Sequence, residues 1–339
     1  MPGRAARWRL RHAGMTFADR VGELVTSGER YDAVFSTGLC SLSDFRAAAP
    51  PSIRNLPHVL YMHENQAAYP VSEAVDRRTI DRDAHLAFTN LGSVMAADRV
   101  LWNSRYNLES FVEEMEIILR RAPESVSREW TTRLAERSCV AWPPIEPVNV
   151  EGGILHNPDT GDYPEPTDGE RTVVRVAWPH RWEHDKGCDE LLNLIEEHLD
   201  DETFDFRWTI LGDRYERMPA AMHAILDRHQ ASLDHAGFIP DRAGYLKALA
   251  GCDWVTSTAR HEFFGIAVTE AMLAGCLPWL PNRLSYPELI PEEYRGMNPW
   301  NAPSDLGAVR TKLRSHLEPS RADIAVGRIE DEIRGLIDD

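Results

Sequence analysis

Short β-type runs alternate with helical patterns twice along this chain, and this alternation limits the folds open to it. The first series contains YDAVFST, HVLYMHE and RVLWNS, with helical patterns near residues 79–97 and from about residue 105. The second contains TVVRVAWP, FRWTILG and CDWVTST, with helical patterns from about residue 187 and near residues 219–232. Strands that alternate with helices form βαβ units and parallel sheets. The sequence therefore predicts an α/β protein with two Rossmann-like, doubly wound domains.

The two series are separated by residues 144–171, which are rich in Pro, Gly and Asp and lack apolar periodicity. Such a segment is typical of a linker with a loop insertion. We therefore expect domains at residues 1–143 and 172–300, followed by a helical segment at 301–339. Ligands of open α/β sheets bind beyond the carboxyl ends of the strands, so the two domains should face each other across a cleft.

The net charge of −17 argues against broad, non-specific binding of nucleic acid. Only three of the 37 basic side chains are lysines. Any RNA partner would have to meet a local basic patch, and the start of the chain offers one around Trp8. Frayed, solvated arginines are the alternative interpretation. The arginines concerned are Arg4, Arg7, Arg9 and Arg11.

Neither a membrane span nor a secretion signal is evident in the sequence. No stretch approaches the roughly 18 consecutive apolar residues of a transmembrane helix. The start, MPGRAARWRLRHAG, lacks the apolar centre of a signal peptide. We expect a cytoplasmic protein without membrane insertion.

The run HEFFGIAVTEAMLAG, residues 261–275, places two glutamates on either side of a loop-to-helix junction. A helix start offers free N–H groups to a diphosphate, and Gly265 lets a ligand approach the backbone closely. The carboxylates of Glu262 and Glu270 can accept hydrogen bonds from sugar and ribose hydroxyls. On spacing alone, ordinary helix-start and solvated glutamates remain the alternative.

The run WPHRWEHDKGCDELL places Arg181 and Lys186 between a strand end and a helix. Two cations there can neutralise the charge that develops on a departing nucleoside diphosphate. The alternative is an exposed loop in which His180 and His184 are solvated polar residues.

The run YMHENQAAYP, residues 61–70, leads from an apolar strand directly into four polar side chains. Polar residues at the carboxyl end of a parallel strand point towards the ligand. The alternative is a hydrogen-bonded turn. The polar side chains are His63, Glu64, Asn65 and Gln66.

Weaker signals follow in WNSRYNLESF, residues 102–111, where Ser104 is a candidate helix cap and Asn107 a candidate for the acceptor side. The tripeptide DRD at residues 81–83 is a possible metal motif but lies within a predicted helix. We expect no metal, because Arg181, Lys186 and the helix start can carry the phosphate charge.

These motifs resemble known glycosyltransferases. The E-x7-E pattern of Glu262 and Glu270, with Arg181 and Lys186, is similar to the motifs of retaining GT-B transferases of the glycosyltransferase 4 type. More narrowly, YMHENQAAYPV, WNSRYNLESF, WPHRWEHDKG, HAGFIPDRAGY and HEFFGIAVTEAM followed by SYPELIP resemble the tRNA-queuosine mannosyltransferase family. The resemblance extends from Trp8 to about Pro291.

The resemblance implies transfer of mannose from GDP-mannose to queuosine at the tRNA wobble position, with retention of configuration. It assigns the diphosphate to Arg181 and Lys186, the sugar to Glu262 with Phe263, Phe264 and Gly265, and the ribose to Glu270. His63 is the first choice on the acceptor side, with Glu64, Asn65, Gln66, Asn107, Arg7 and Arg9 as further acceptor-side residues. A different acceptor (lipid, glycan or metabolite) and a decayed sugar-nucleotide-binding protein remain alternatives.

The chain departs from the family pattern at its start. Family members carry a first strand, a glycine-rich loop and a helix before the run that begins here at Trp8. We therefore expect an incomplete N-terminal domain, from a misassigned start or a fragment.

Overall fold

The computed structural model describes residues 6–69, 77–121, 127, 129–146, 148, 171–213 and 218–338. The chain divides into two compact units, the first Met1–Pro144 with Asp323–Asp339 and the second Ile145–Ala322. Most of the predicted linker lies outside the described residues. In the described part of the chain, no helix is long and apolar enough to cross a membrane.

The first unit contains a sheet of four parallel strands in the order β1-β2-β3-β4. The strands are β1 (Val34–Thr37), β2 (His58–Met62), β3 (Arg99–Trp102) and β4 (Ser138–Val140). All of β2 is buried, as its continuous apolar run predicts for a parallel strand covered on both faces. The helices are α1 (Ala6–Thr26), α2 (Leu42–Ala48), α3 (Pro51–Arg54), α4 (Arg77–Ala96), α5 (Arg105–Leu119) and α6 (Glu129–Arg137).

The second unit contains five parallel strands in the order β7-β6-β5-β8-β9. The strands are β5 (Thr172–Pro179), β6 (Phe204–Leu211), β7 (Leu233–Gly237), β8 (Trp254–Thr256) and β9 (Leu277–Trp279). The helices are α7 (Cys188–Glu197), α8 (Ala220–Arg228), α9 (Arg242–Ala250), α10 (Ile266–Ala274), α11 (Tyr286–Leu289) and α12 (Leu306–His316). The predicted alternation of strands and helices is therefore confirmed in both units.

The last helix, α13 (Ala322–Asp338), packs on the first unit. Its apolar side chains Ile329, Ile333 and Leu336 lie against one face of the first sheet, and they share one side of the helix because of their spacing. We expected a C-terminal helical segment at 301–339, and the structure has two long helices there, α12 in the second unit and α13 on the first. The apolar stripe of α13 explains the division, because it needs an apolar sheet face to cover it.

The order of strands in the second unit creates a switch point at β5. The chain proceeds from β5 outward to β6 and β7, then returns to add β8 on the other side of β5. The loops that follow β5 and β8 therefore leave the same edge of the sheet from neighbouring strands. Ligands of doubly wound sheets bind at such a point.

Candidate functional site

Two loops of the second unit meet at this switch point. Ala177 in β5 is paired with Val255 in β8, so the two strands end side by side. The first loop continues into a short 3₁₀ helix, His184–Lys186, and the second leads to α10. The sequence-predicted residues Arg181, Lys186 and Glu262 all lie on these two loops.

Lys186 lies on the first loop and its side chain contacts the second. The residue is almost fully buried, with 8% of its surface exposed. Its Nζ donates to the carbonyl oxygen of His261 at 2.9 Å and to Glu262 Oε2 at 3.2 Å. Asp185 Oδ2 lies 3.4 Å from the same nitrogen. A lysine fixed in this way has a defined position before any ligand arrives, which a solvated lysine does not have.

Gly187 lets the two loops approach each other. Its φ of +68° is left-handed, and a Cβ atom there would lie 2.1 Å from the carbonyl oxygen of Thr258. The Thr258 hydroxyl donates to the Lys186 carbonyl at 2.9 Å and accepts from Trp178 Nε1 at 2.9 Å. The backbone around Lys186 is therefore fixed by contacts that tolerate no side chain at position 187.

Arg181 and His180 lie beside Lys186 but differ in exposure. The Arg181 side chain is 53% exposed and pairs with Glu183 at 3.3 Å, so it can reach a ligand. His180 is buried, and the pKa of its imidazole is lowered to about 3 by burial first and then by the charges of Lys186 and Arg181. The alternative in which His180 is solvated is therefore wrong, whereas His184 is exposed as that alternative expected.

The N-terminus of α10 lies at the end of the second loop. Gly265 precedes the helix with a φ of +97°, and no side chain caps the first turn. The first N–H groups of a helix have no intrahelical partner, so this end of α10 can bind an anion. The conformation of Gly265 agrees with the backbone role that the sequence predicts for it.

The two phenylalanines of this loop turn inward. Phe263 and Phe264 are 4% and 2% exposed, so their rings pack in the core of the second unit. We expected the loop Phe263 to Gly265 to bind the sugar of the donor, and with both rings buried this role would fall to the backbone of the loop; it stays a prediction. Ser285 Oγ fixes the loop by donating to the carbonyl oxygen of Phe264 at 2.8 Å.

Glu270 is buried on α10 and is bound by two side chains of α9. Arg242 Nη2 lies 2.5 Å from Glu270 Oε1, and the Tyr245 hydroxyl donates to Oε2 at 3.1 Å. We did not predict Arg242 or Tyr245 as site residues. Their spacing of three, which places both on one side of a helix that follows β7, is the signal that points to them.

In the first unit, His63, Glu64 and Gln66 are partly exposed on the loop after β2. The His63 ring stacks on Tyr61 with centroids 6.5 Å apart, and burial lowers its pKa. Gln66 Nε2 donates to Glu64 Oε1 at 3.0 Å. These three side chains therefore remain available at the carboxyl end of the first sheet.

Two other predicted acceptor-side residues are fully buried in the same unit. Asn65 Nδ2 donates to Asn107 Oδ1 at 2.8 Å, and Asn107 Nδ2 donates to Asn103 Oδ1 at 2.8 Å and to the Met62 carbonyl at 2.9 Å. Asn65 Oδ1 in turn accepts from the Ala68 N–H at 2.7 Å. Asn65 and Asn107 therefore hold the loop of His63 in place, and their buried amides are engaged in this network. Their acceptor-side role stays a prediction.

The family can be decided from comparison with known proteins. The sequence model described as tRNA-queuosine alpha-mannosyltransferase N-terminal matches residues 1–145. A tRNA-queuosine alpha-mannosyltransferase from Drosophila melanogaster is 32% identical over 294 residues, which cover 86% of this chain and 74% of that protein. The chain belongs to the tRNA-queuosine alpha-mannosyltransferase family. The resemblance stated from the motifs is thereby confirmed, as is the assignment to the glycosyltransferases.

A more distant relative is similar to only part of this chain. The GDP-mannose:cellobiosyl-diphosphopolyprenol alpha-mannosyltransferase of Xanthomonas campestris is 29% identical over 120 residues, covering 34% of this chain and 31% of that enzyme. A glycosyltransferase structure from Rickettsia africae superposes with a TM-score of 0.57 at 13% identity, covering 99% of this chain and 83% of that one. This likeness shows the GT-B type of α/β fold that the sequence predicts.

Ser104 caps α5, as predicted, by accepting a hydrogen bond from the Asn107 N–H at 2.9 Å.

The predicted N-terminal arginines lie at or before the start of the described residues. Arg4 lies outside the described residues, and Arg7 lies in α1 with a side chain that is not described. Arg9 is partly buried, and Arg11 donates to Thr89 Oγ1 at 3.2 Å. The basic RNA-binding patch therefore stays a prediction.

The metal expectation also stays a prediction. Residues 81–83 lie within α4, and their side chains are not described. Among the described residues, no three His, Cys, Asp or Glu side chains come together as metal ligands.

Proposed function

We propose that this protein transfers mannose from GDP-mannose to queuosine in the tRNA anticodon, in the cytoplasm, with retention of anomeric configuration. The observation that carries the proposal is the 32% identity to the Drosophila tRNA-queuosine alpha-mannosyltransferase over 86% of this chain. The name of the Xanthomonas relative contains GDP-mannose, which supports the same donor. An acidic chain can accept tRNA only at a local basic surface.

In this proposal the diphosphate lies at the ends of β5 and β8. Lys186 is already fixed there, and the half-exposed Arg181 closes on the phosphates. The uncapped start of α10 adds N–H groups and the positive end of the helix dipole. Together these groups stabilise the charge that develops on GDP as the glycosidic bond breaks.

The two glutamates bind the hydroxyl groups on either side of that diphosphate. Glu262 adjoins Lys186, so a hydroxyl of the mannose bound to it lies beside the phosphate that leaves. Glu270 accepts hydrogen bonds from the ribose. Departure of the diphosphate gives the sugar oxocarbenium character, so leaving-group stabilisation and sugar orientation contribute more than a conventional base.

His63 and Glu64 are proposed to contact the acceptor. Burial lowers the pKa of His63, so its imidazole is neutral at pH 7 and can accept a hydrogen bond from an attacking hydroxyl. Since Arg181 and Lys186 can carry the phosphate charge, the proposal includes no metal. Dialysis of the protein against EDTA should therefore leave the rate of mannose transfer unchanged.

The test is transfer of labelled mannose from GDP-mannose to two matched tRNA pools, one with queuosine and one from cells that lack it. Labelling of the first pool alone supports the proposal. Labelling of both pools, or of neither, contradicts it. If GDP-mannose binds while neither pool is labelled, the acceptor is a lipid, a glycan or a metabolite, or the protein only binds the sugar nucleotide.

A further inference from the structure

Helix α9 carries two side chains that hold Glu270. The Glu270 carboxylate is buried, with 11% of the side chain exposed, and it receives Arg242 on Oε1 and Tyr245 on Oε2. The Arg242 guanidinium also lies 5.5 Å from the centre of the Tyr245 ring. The three side chains thus form one hydrogen-bonded group, which we call the α9 clamp (Arg242, Tyr245 and Glu270).

The chemistry of the clamp fixes which partner donates. Burial first, and the neighbouring Glu270 charge second, raise the pKa of Tyr245, so its hydroxyl keeps its proton and donates to the carboxylate. The hydrogen bond to Glu270 raises the pKa of Arg242 further. Each oxygen of the Glu270 carboxylate therefore accepts a hydrogen bond from a group that keeps its proton.

The same geometry leaves room for a ligand. A carboxylate has about four lone-pair directions, two on each oxygen. Among the described residues, Arg242 takes one on Oε1 and Tyr245 takes one on Oε2. No second donor from the described part of the chain reaches either oxygen, and two adjacent acceptors match the two adjacent hydroxyls of a ribose.

The position of α9 in the chain supports this assignment. Asp241 caps the helix, since its side chain accepts from the Gly244 N–H, so the first turn that carries Arg242 and Tyr245 has a fixed start. The helix follows β7 at the same edge of the sheet as the loops of Lys186 and Glu262. The clamp is therefore built on helices rather than on loops, which gives a precise carboxylate position.

We infer that Arg242 and Tyr245 are positioning residues that orient the Glu270 carboxylate to receive the 2′- and 3′-hydroxyls of the donor nucleotide, and so set the preference for a ribonucleotide. This inference rests on the proposed function, which assigns Glu270 to the ribose. Without the two donors the carboxylate is free to rotate and loses the order that a two-point contact requires.

The experiment compares the affinities of GDP and 2′,3′-dideoxy-GDP by calorimetry. For the unmodified protein we expect GDP to bind roughly tenfold more tightly or better, because hydrogen bonds to a charged acceptor are lost in the analogue. In Tyr245→Phe and Arg242→Gln this preference should fall to about threefold. Glu270→Gln keeps the shape of the side chain, and in this variant the preference for GDP should fall to a similar value.

Matched controls separate positioning from a general effect on folding. Tyr294→Phe removes a hydroxyl from the same unit, and Arg228→Gln removes a surface arginine that pairs with Glu196. Both controls should keep the full preference for GDP. In the transfer assay, Tyr245→Phe should raise KM for GDP-mannose with kcat nearly unchanged, a split that lost stability does not produce.

The inference and the proposed function fail in different ways. If Tyr245→Phe and Arg242→Gln weaken both nucleotides by the same factor, or change neither, the inference is overturned while the donor site stands. If the unmodified protein binds GDP and the dideoxy analogue equally well, Glu270 does not contact the ribose, and the inference falls with that part of the proposal. If it binds neither nucleotide, the donor site itself is wrong.

Discussion

Lys186 Nζ lies 3.2 Å from Glu262 Oε2, so the residue proposed for the phosphate and the residue proposed for the sugar are in direct contact. The two side chains come from loops 76 residues apart in the sequence. Their side chains are only 10% and 22% exposed. A donor that binds here meets a cation and an anion whose relative positions are already set.

Replacing Lys186 by Met should lower the transfer rate by about 100- to 1,000-fold, because the charge that stabilises the departing diphosphate is lost. Met keeps the volume of the buried aliphatic stem. The matched control is Lys312→Met, at an exposed lysine that pairs with Glu293. Steady-state kinetics with GDP-mannose measures both, and a rate for Lys186→Met near that of the control would refute the role of Lys186.

Gly187→Ala should destabilise the protein by more than about 2 kcal/mol, since it combines backbone strain with a clash against the Thr258 carbonyl. Gly28→Ala provides the comparison, because Gly28 has a φ of +104° but nothing within 4 Å of the added Cβ. Chemical unfolding of the two variants separates strain from clash. Equal destabilisation would show that the close contact between the two loops does not matter.

The sequence places Lys186, Glu262 and Gly265 on loops that follow strands, and the structure has them on the loops after β5 and β8. Their positions could be predicted because a strand end followed by a polar or glycine-containing loop and a helix is a pattern with a local physical cause. Their roles toward a ligand stay a prediction. The burial of Phe263, Phe264 and the paired amides was not found. Which way a side chain turns after a strand ends depends on packing partners far away in the sequence, and no local pattern records them.

The α9 clamp and the placement of α13 were missed for a related reason. Arg242 and Glu270 belong to helices that are separated by a strand, so only the packed structure shows that they meet. The apolar stripe of α13 was visible in the sequence, but the sheet that it covers belongs to the other end of the chain. Long-range pairing of surfaces is the part of the fold that a single sequence leaves open.

Asn107→Ala should cost about 2–4 kcal/mol of stability, because it leaves buried partners of the amide network unsatisfied. The Met62 carbonyl and Asn65 would each lose a hydrogen bond. Asn55→Ala, at an exposed position, is the control. Thermal unfolding measures the difference, and equal melting temperatures for the two variants would show that the network contributes nothing.

The stability of the protein should fall as the pH is lowered from 6.5 towards 4, in part because of His180. The folded-state pKa of about 3 lies below the ordinary value of 6.5, so the unfolded state takes up a proton first. His180 therefore leaves the free energy of unfolding unchanged above pH 6.5 and lowers it by up to about 1.4 kcal/mol per pH unit below it. His180→Asn should show a correspondingly shallower decline in denaturant titrations at pH 6.5 and 4.5. Parallel declines in the two proteins would contradict the burial of a neutral imidazole.

The most direct test of the central claim identifies the product. The protein is incubated with GDP-mannose and queuosine-containing tRNA, the tRNA is digested, and the nucleosides are analysed by mass spectrometry, with Glu262→Ala as the inactive control. The account predicts that queuosine gains the mass of one hexose in the sample with unmodified protein and keeps its mass in the control. A queuosine that is unchanged, or a hexose on any other nucleoside, would contradict it.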